Sequence, residues 1–150
     1  MIEEYIKKHK IIGLDTMIFI YHFEANPIYS PLTKIIFKSI QSGKLQGITS
    51  SLSIMEILVK PLKTGNYIAA RDYELVMLNI PNLTIIPFDS SIASKGAFLR
   101  AKYDLKTPDA IQIATSIGSD GTAFITNDLK FKKIKDIEII ILDSLLHNYS

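Results

Sequence analysis

Four acidic residues, Asp15, Glu56, Asp109 and Asp128, stand where a fold could gather them although long stretches of chain separate them. Asp15 directly follows the apolar run Ile11-Ile12-Gly13-Leu14, and Asp128 follows Ala123-Phe124-Ile125-Thr126-Asn127. Asp109 falls in the first turn of a helix opened by Thr107-Pro108, and Glu56 lies early in another. If the two apolar runs are adjacent central strands, their carboxylates emerge at one edge of a sheet, and the helical acids can converge above it. Two carboxylates about 4 Å apart repel by roughly 4 kcal/mol at an effective dielectric near 20. Several in one pocket stay ionised only beside a cation; otherwise some take up protons. All-oxygen ligation favours a hard ion such as Mg2+ or Mn2+ over zinc. Such an ion with open positions polarises a phosphoryl oxygen and acidifies a bound water, the chemistry of phosphodiester hydrolysis.

Each acid also has a purely structural duty open to it. Asp15 can cap a helix that begins at Thr16. Asp109 in a first helical turn favours the macrodipole without any metal. Ser53-Ile54-Met55-Glu56 matches a capping box, in which Glu56 reaches back to the Ser53 amide. Asn127-Asp128 can be a turn after a strand. Ser50 and Ser51 can cap as well as Ser53, and an earlier start would move Glu56 into the helix body.

The elements that must position these residues follow from periodicity. Ile11 to Leu14 reads as a buried strand. Leu32, Ile35, Ile36, Ser39 and Ile40 lie on one side of a helix that closes near Gly43. Leu45 to Thr49 is a short strand, followed by a helix that starts within Ser50 to Ser53 and should end before Pro61. Asn66 to Ile80 is helical, with Tyr73, Met77 and Ile80 on one side. Leu83 to Phe88 is a strand; Asp89 or Ser90 caps a helix to about Tyr103. Thr107 as cap with Pro108 at the first helical position opens a helix to about Gly118. Asp120-Gly121 is a turn, and Ala123 to Thr126 and Ile137 to Leu142 are the last strands. Continuous apolar strands alternating with helices predict a mostly parallel sheet covered on both sides, a three-layer α/β/α domain over residues 1–150. Ligands of such sheets bind beyond the carboxyl ends of the strands, where strand order reverses.

Composition narrows the classes further. A chain of 150 residues, 47% of them hydrophobic, can bury a core and is not disordered. No cysteine is present, which excludes disulfides and thiolate metal sites and suits a reducing cytoplasm. Apolar runs such as Ile139 to Leu142 are too short to span a bilayer, and Met1 to Lys10 lacks the apolar centre of a signal peptide. The expectation is a cytoplasmic protein with no membrane segment. The net charge of +2 does not by itself identify a partner. Lys130, Lys132, Lys133 and Lys135 do crowd one segment.

Taken together, four segments resemble the PIN-domain nucleases, especially the VapC-like toxins of prokaryotic toxin–antitoxin pairs. They are Gly13-Leu14-Asp15-Thr16-Met17-Ile18-Phe19-Ile20-Tyr21, Ser53-Ile54-Met55-Glu56-Ile57, Leu105-Lys106-Thr107-Pro108-Asp109-Ala110-Ile111-Gln112-Ile113-Ala114-Thr115 and Phe124-Ile125-Thr126-Asn127-Asp128. Their order and spacing are those of the family from about residue 11 to residue 142. The resemblance implies a Rossmann-like α/β/α fold, a Mg2+ or Mn2+ ion at the acid cluster, and endonucleolytic RNA cleavage leaving a 3′-hydroxyl and a 5′-phosphate. By family pattern Asp15, Asp109 and Asp128 would bind the metal or its water, and Glu56 would complete the pocket or orient that water. Thr126 and Asn127 would support the ligands from behind. A cognate antitoxin and a homodimer are the partners the resemblance implies. One departure is Met17, where the family often has asparagine or serine; a methionine cannot donate a hydrogen bond to Asp15.

Around such a pocket Lys106, Arg100 and Lys130 are candidate phosphate contacts, which position a strand without reading its sequence. Tyr21, Tyr29 and Phe131 are candidates for base stacking or for the core. His22 could be a proton donor or a helix-surface residue; His9, His22 and His147 are too scattered to form a histidine metal site. Asp89, Asp104 and Asp143 read as caps or surface charges, with Asp143 at a sheet edge. The alternatives to a toxin are a PIN nuclease of RNA processing or repair, a catalytically weak nucleic-acid-binding PIN module, and a receiver-like phosphoacceptor domain.

Overall fold

The computed structural model describes residues 2–148, with side chains described as far as residue 146. Five strands form one sheet: β1 (Ile11–Leu14), β2 (Gln46–Ser50), β3 (Leu83–Ile86), β4 (Ala123–Thr126) and β5 (Glu138–Ile141), in the order β3-β2-β1-β4-β5. All four pairings are parallel. The chain builds outward from β1 to β3, then returns to place β4 on the other side of β1. The order therefore reverses between β1 and β4, and Leu14 pairs with Ile125 there.

Among the described residues, α1 (Ile2–Lys8) precedes β1 and six α-helices lie between strands: α2 (Thr16–Phe23), α3 (Ser30–Gln41), α4 (Ser51–Lys63), α5 (Tyr67–Asn79), α6 (Ser90–Tyr103) and α7 (Thr107–Gly118). Strand alternation divides the core between two faces. Ala123 and Ile125 of β4 join Ile12 and Leu14 of β1 in a cluster with α1 to α5, built around Phe19, Ile36, Phe37 and Ile40. Phe124 points the other way, into a smaller cluster with Leu99 of α6 and Ile113 and Ala114 of α7. The result is the three-layer α/β/α arrangement that the pattern of runs predicts. The segment ahead of Ile11 packs inward, since Ile2 and Ile6 are buried in the larger cluster.

Gly13 lets the second layer approach the switch point. A Cβ there would overlap the Ser116 hydroxyl of α7 and lie 3.0 Å from Phe124 Cδ2. Because α7 carries Asp109 at its other end, this contact helps set how far that acid reaches over the sheet. Gly13→Ala should destabilise the fold by about 1–3 kcal/mol through overpacking. The expected result is a lower denaturant midpoint at unchanged slope. A wild-type midpoint would show that α7 moves away freely.

Several boundaries differ from the sequence expectations, each for a local reason. Helix α4 runs through Pro61 to Lys63. Proline lacks one N–H and crowds the preceding turn. Here it lies in the final turn, where its own carbonyl still accepts from the Asn66 amide at 2.8 Å. Strand β3 stops at Ile86 rather than Phe88, because Pro87 has no amide to extend the ladder. Thr107 is the first residue of α7, not its cap; Lys106 occupies the cap position without a side-chain bond. Gly43 at φ +81° closes the turn after α3, in the left-handed conformation where glycine is least costly.

Candidate active site

The carboxyl ends of β1 and β4 open into a cavity of about 680 Å³ lined by Asp15, Thr16, Met17, Ile20, Tyr21, Glu56, Asp109, Asn127, Asp128 and Leu129. All four acids face it, from α2, α4, α7 and the loop after β4. Their placement is local chemistry carried to one point. Asp15 leaves β1 as the N-cap of α2, its Oδ1 accepting from the Thr16 amide at 2.8 Å. Asp128 caps the short 3-10 helix Leu129–Lys133, accepting from the Lys130 amide at 2.9 Å. Both structural duties are therefore real, and both leave a carboxylate facing the same cavity.

Glu56 settles differently. Helix α4 begins after Ser50, whose hydroxyl accepts from the Leu52 amide at 3.1 Å. The earlier start places Glu56 in the helix body, and its Oε1 accepts from the Thr16 hydroxyl at 2.8 Å. The capping box across Ser53 and Glu56 does not form. Ser53 points inward and is fully buried, in contact with the Thr16 hydroxyl at 2.9 Å.

The residues behind the acids carry them. The Thr126 hydroxyl donates to Asp15 Oδ2 at 2.6 Å and accepts from the Asp128 amide at 3.1 Å, so one side chain links the two strand-end acids. Asn127 donates to the Tyr21 hydroxyl at 3.2 Å and accepts from the Asp143 amide at 2.8 Å. Asp143 thus braces Asn127 from the 3-10 helix Leu142–Asn148 that follows β5, and its carboxylate accepts from the Tyr29 hydroxyl at 2.9 Å. Thr16, Ser53, Thr49 and Gln112 form a buried polar floor under Glu56, which sequence reasoning missed. The available signal was Ser53, a small polar residue one helical turn before Glu56 on α4.

Electrostatics record the crowding. Burial pushes the Asp15 carboxyl up from 3.8 to about 6; the bonds from Thr126 and Thr16 oppose this, and the Glu56 and Asp109 charges add to it. Asp109 is also raised, first by burial and then by the Asp128 carboxylate; Lys130 and Lys106 oppose the shift and Glu56 adds to it. Among the described residues no three acidic or histidine side chains are drawn tightly enough to cage an ion by themselves. Four carboxylates around an open cavity nonetheless suit a hard divalent cation. Mg2+ keeps several waters and takes one or two carboxylates directly, and a cation would relieve the strain that lifts Asp15.

The other candidates divide. Lys106 and Lys130 act on Asp109, and Lys130 Nζ lies 3.8 Å from Asp128 Oδ2. Arg100 is elsewhere: its Nε donates to the Leu105 carbonyl at 2.9 Å, closing the end of α6. Phe131 is buried against Phe124 with ring centroids 5.2 Å apart, so it is core. Tyr21 lines the cavity and stacks on Tyr29 at 4.5 Å. His22 does not line it; its Nδ1 lies 3.1 Å from the Thr33 hydroxyl and its ring packs on Phe37. The His147 side chain lies outside those described. No helix among the described residues is long and apolar enough to cross a membrane.

Comparison with curated proteins finds no match. Solved structures do match in fold. One is a toxin–antitoxin complex from Klebsiella pneumoniae, with 24% identity, a TM-score of 0.67, and coverage of 87% of this chain and 97% of that one. Another is the DNA-bound VapBC of Salmonella typhimurium, with 21% identity, a TM-score of 0.65 and coverage of 89% and 98%. A third is a sarcin-ricin-loop-cleaving VapC toxin of Mycobacterium tuberculosis, with 13% identity, a TM-score of 0.64 and coverage of 85% and 98%. At these identities the likeness establishes fold. The family model of the PIN domain matches residues 12–137, from the start of β1 to the threshold of β5 and across all four acids. The chain belongs to the PIN-domain family.

Proposed function

We propose that this protein is a divalent-metal-dependent endoribonuclease acting in the cytoplasm, and that it is the VapC-like toxin of a toxin–antitoxin pair. The observation that carries the catalytic reading is the cavity at the β1/β4 switch point, faced by Asp15, Glu56, Asp109 and Asp128 together. Asp15, Asp109 and Asp128 are the residues to hold Mg2+ or Mn2+. The chemistry such an ion supplies when bound is polarisation of a phosphoryl oxygen and acidification of water. Glu56, whose Oε1 accepts a hydrogen bond from the Thr16 hydroxyl, has a second oxygen to orient the attacking water or accept its proton. Thr126 holds Asp15 and the Asp128 backbone in register. Lys106 and Lys130 flank the acids as phosphate contacts.

The toxin reading draws on the family and on the neighbours, several of which are complexes with an antitoxin. Exposed Met55, Val59 and Leu62 repeat along one side of α4, and Ile68, Leu75 and Val76 stand exposed on α5. These helices offer apolar area to an antitoxin or to a second copy of the chain.

The test is cleavage of RNA with and without Mg2+ or Mn2+, comparing the parent with Asp15→Asn and Asp109→Asn. Metal-dependent cleavage lost in both variants supports the proposal; equal cleavage in all three ends it. Induced expression in bacteria separates a toxin from a processing nuclease, since only the toxin reading requires growth arrest that depends on Asp15. Lys130→Ala should raise KM while leaving kcat nearly unchanged. The salt dependence of log KM should flatten by about 0.7, one phosphate contact on a single strand. An unchanged slope would remove Lys130 from the substrate path.

A further inference from the structure

Beneath the acids lies a hydrogen-bonded chain that reaches from α7 to Glu56. Gln112 of α7 is 3% exposed, Ser53 of α4 and Thr49 of β2 are 0% and 1%, and Thr16 is 5%. Gln112 Nε2 donates to Ser53 Oγ at 2.9 Å and to Thr16 Oγ1 at 3.3 Å. Ser53 Oγ lies 2.9 Å from both Thr16 Oγ1 and Thr49 Oγ1. The Thr49 hydroxyl donates to the Leu14 carbonyl at 3.1 Å, and the Thr16 hydroxyl donates to Glu56 Oε1 at 2.8 Å.

Donor and acceptor capacity gives this chain a direction. The Gln112 amide nitrogen can only donate, and the Leu14 carbonyl and the Glu56 carboxylate can only accept. With Gln112 filling acceptor positions on Ser53 and Thr16, the Thr16 proton is left to point at Glu56. Ser53 has one proton, which it can donate to either Thr16 or Thr49 but to only one of them at a time. Polarised chains of this kind strengthen link by link in a low-dielectric interior.

The geometry also joins the helices that carry the acids. Asp109 and Gln112 are three residues apart on α7, and Ser53 and Glu56 are three apart on α4, so each pair shares a helix face. Thr16 follows Asp15 directly. One buried amide therefore ties together the three elements that present Asp15, Glu56 and Asp109. We propose that Gln112 is a positioning residue of this site, holding Glu56 in its working orientation through Ser53 and Thr16. The kinetic part of this inference rests on the nuclease reading; the structural part does not.

The experiment is a double-mutant cycle on the full chain. Gln112→Met removes both donors at similar volume, and Ser53→Ala interrupts the same chain with a smaller change. Each is measured alone and with Glu56→Ala, following kcat and KM for RNA throughout and, in the variants that keep Glu56, its side-chain carboxyl 13C resonance. Gln112→Met should lower kcat by about 10- to 100-fold, as loss of groups behind metal ligands commonly does. KM should stay within about two-fold, and the kcat loss should shrink below about two-fold once Glu56 is alanine. The Glu56 resonance should move in both Gln112→Met and Ser53→Ala. Losses that multiply in the Glu56→Ala background, or a Glu56 resonance unmoved in both variants, would overturn the assignment. Where the parent fails to cleave RNA, or the Glu56→Ala background is too slow to follow, the resonance alone decides. The nuclease reading can then fail without removing the positioning role.

Discussion

Asp15→Asn should abolish metal-dependent cleavage, by about 1,000-fold or more, and at neutral pH should make the metal-free protein more stable. The two effects share one cause. Burial, and to a lesser degree the neighbouring carboxylates, hold the Asp15 carboxyl near pH 6 against 3.8 for the unperturbed group. Below about pH 4 it is neutral in both folded and unfolded chains. Between about pH 4 and 6 the unfolded chain ionises first, so stability declines as pH rises through this window; above about 6 the cost is complete. A shift of this size corresponds to at most about 3 kcal/mol. Asparagine removes the charge but cannot accept from both Thr126 and Thr16, so the net gain should be about 1–2 kcal/mol. The measurement is denaturant unfolding at pH 4.5 and 7.5, with and without Mn2+. Metal at about 100 times its dissociation constant should restore roughly 2.7 kcal/mol to the parent, and far less to the variant. A variant less stable than the parent at pH 7.5 without metal would show that Asp15 is held as a favourable cap rather than as a strained ligand.

Phe131→Ala should cost about 3–5 kcal/mol, the range for emptying a buried aromatic site. Phe131 is 1% exposed and packs against Phe124, in the smaller of the two core clusters, where few neighbours can collapse into the space. It also anchors the short helix that Asp128 caps and that carries Lys130. Cleavage should therefore fall even at temperatures where the variant is folded. Leu129→Ala is the comparison: Leu129 is 64% exposed at the rim of the acidic cavity, and its loss should change stability by no more than about 0.5 kcal/mol. Denaturant midpoints of the two variants decide the matter. A stable Phe131→Ala protein with a raised KM for RNA would make Phe131 a base-stacking residue instead of core.

The contrast between Phe131 and Tyr21 shows what local pattern leaves open. Both are aromatic and both adjoin an acidic motif. Only packing across the sheet places Phe131 inside and Tyr21 on the cavity wall. Arg100 takes a local partner for a similar reason. The Leu105 carbonyl after α6 lies within its reach and accepts from its Nε, and Arg100 does not line the acidic cavity. The Glu56 motif was ambiguous because three nearby serines can all cap a helix. The burial of Ser53 against Thr16 and Thr49 selects the start at Ser50. No periodic signal marks Gln112, since a glutamine on the inner side of a helix reads as a defect until its partners are in view.

Composition, apolar runs and the order of the acidic motifs determined the layer architecture, the parallel sheet and the four residues at the switch point. Those features follow from which side chains avoid water and from the reach of strand ends, information the chain carries segment by segment. Tertiary structure alone decided how the acids are held: Thr126 bridging Asp15 to Asp128, Thr16 turning to Glu56, and Gln112 joining α7 to α4. Hydrogen bonds between residues far apart in sequence depend on ångström-scale distances that arise only when the helices dock, and no spacing along the chain encodes them.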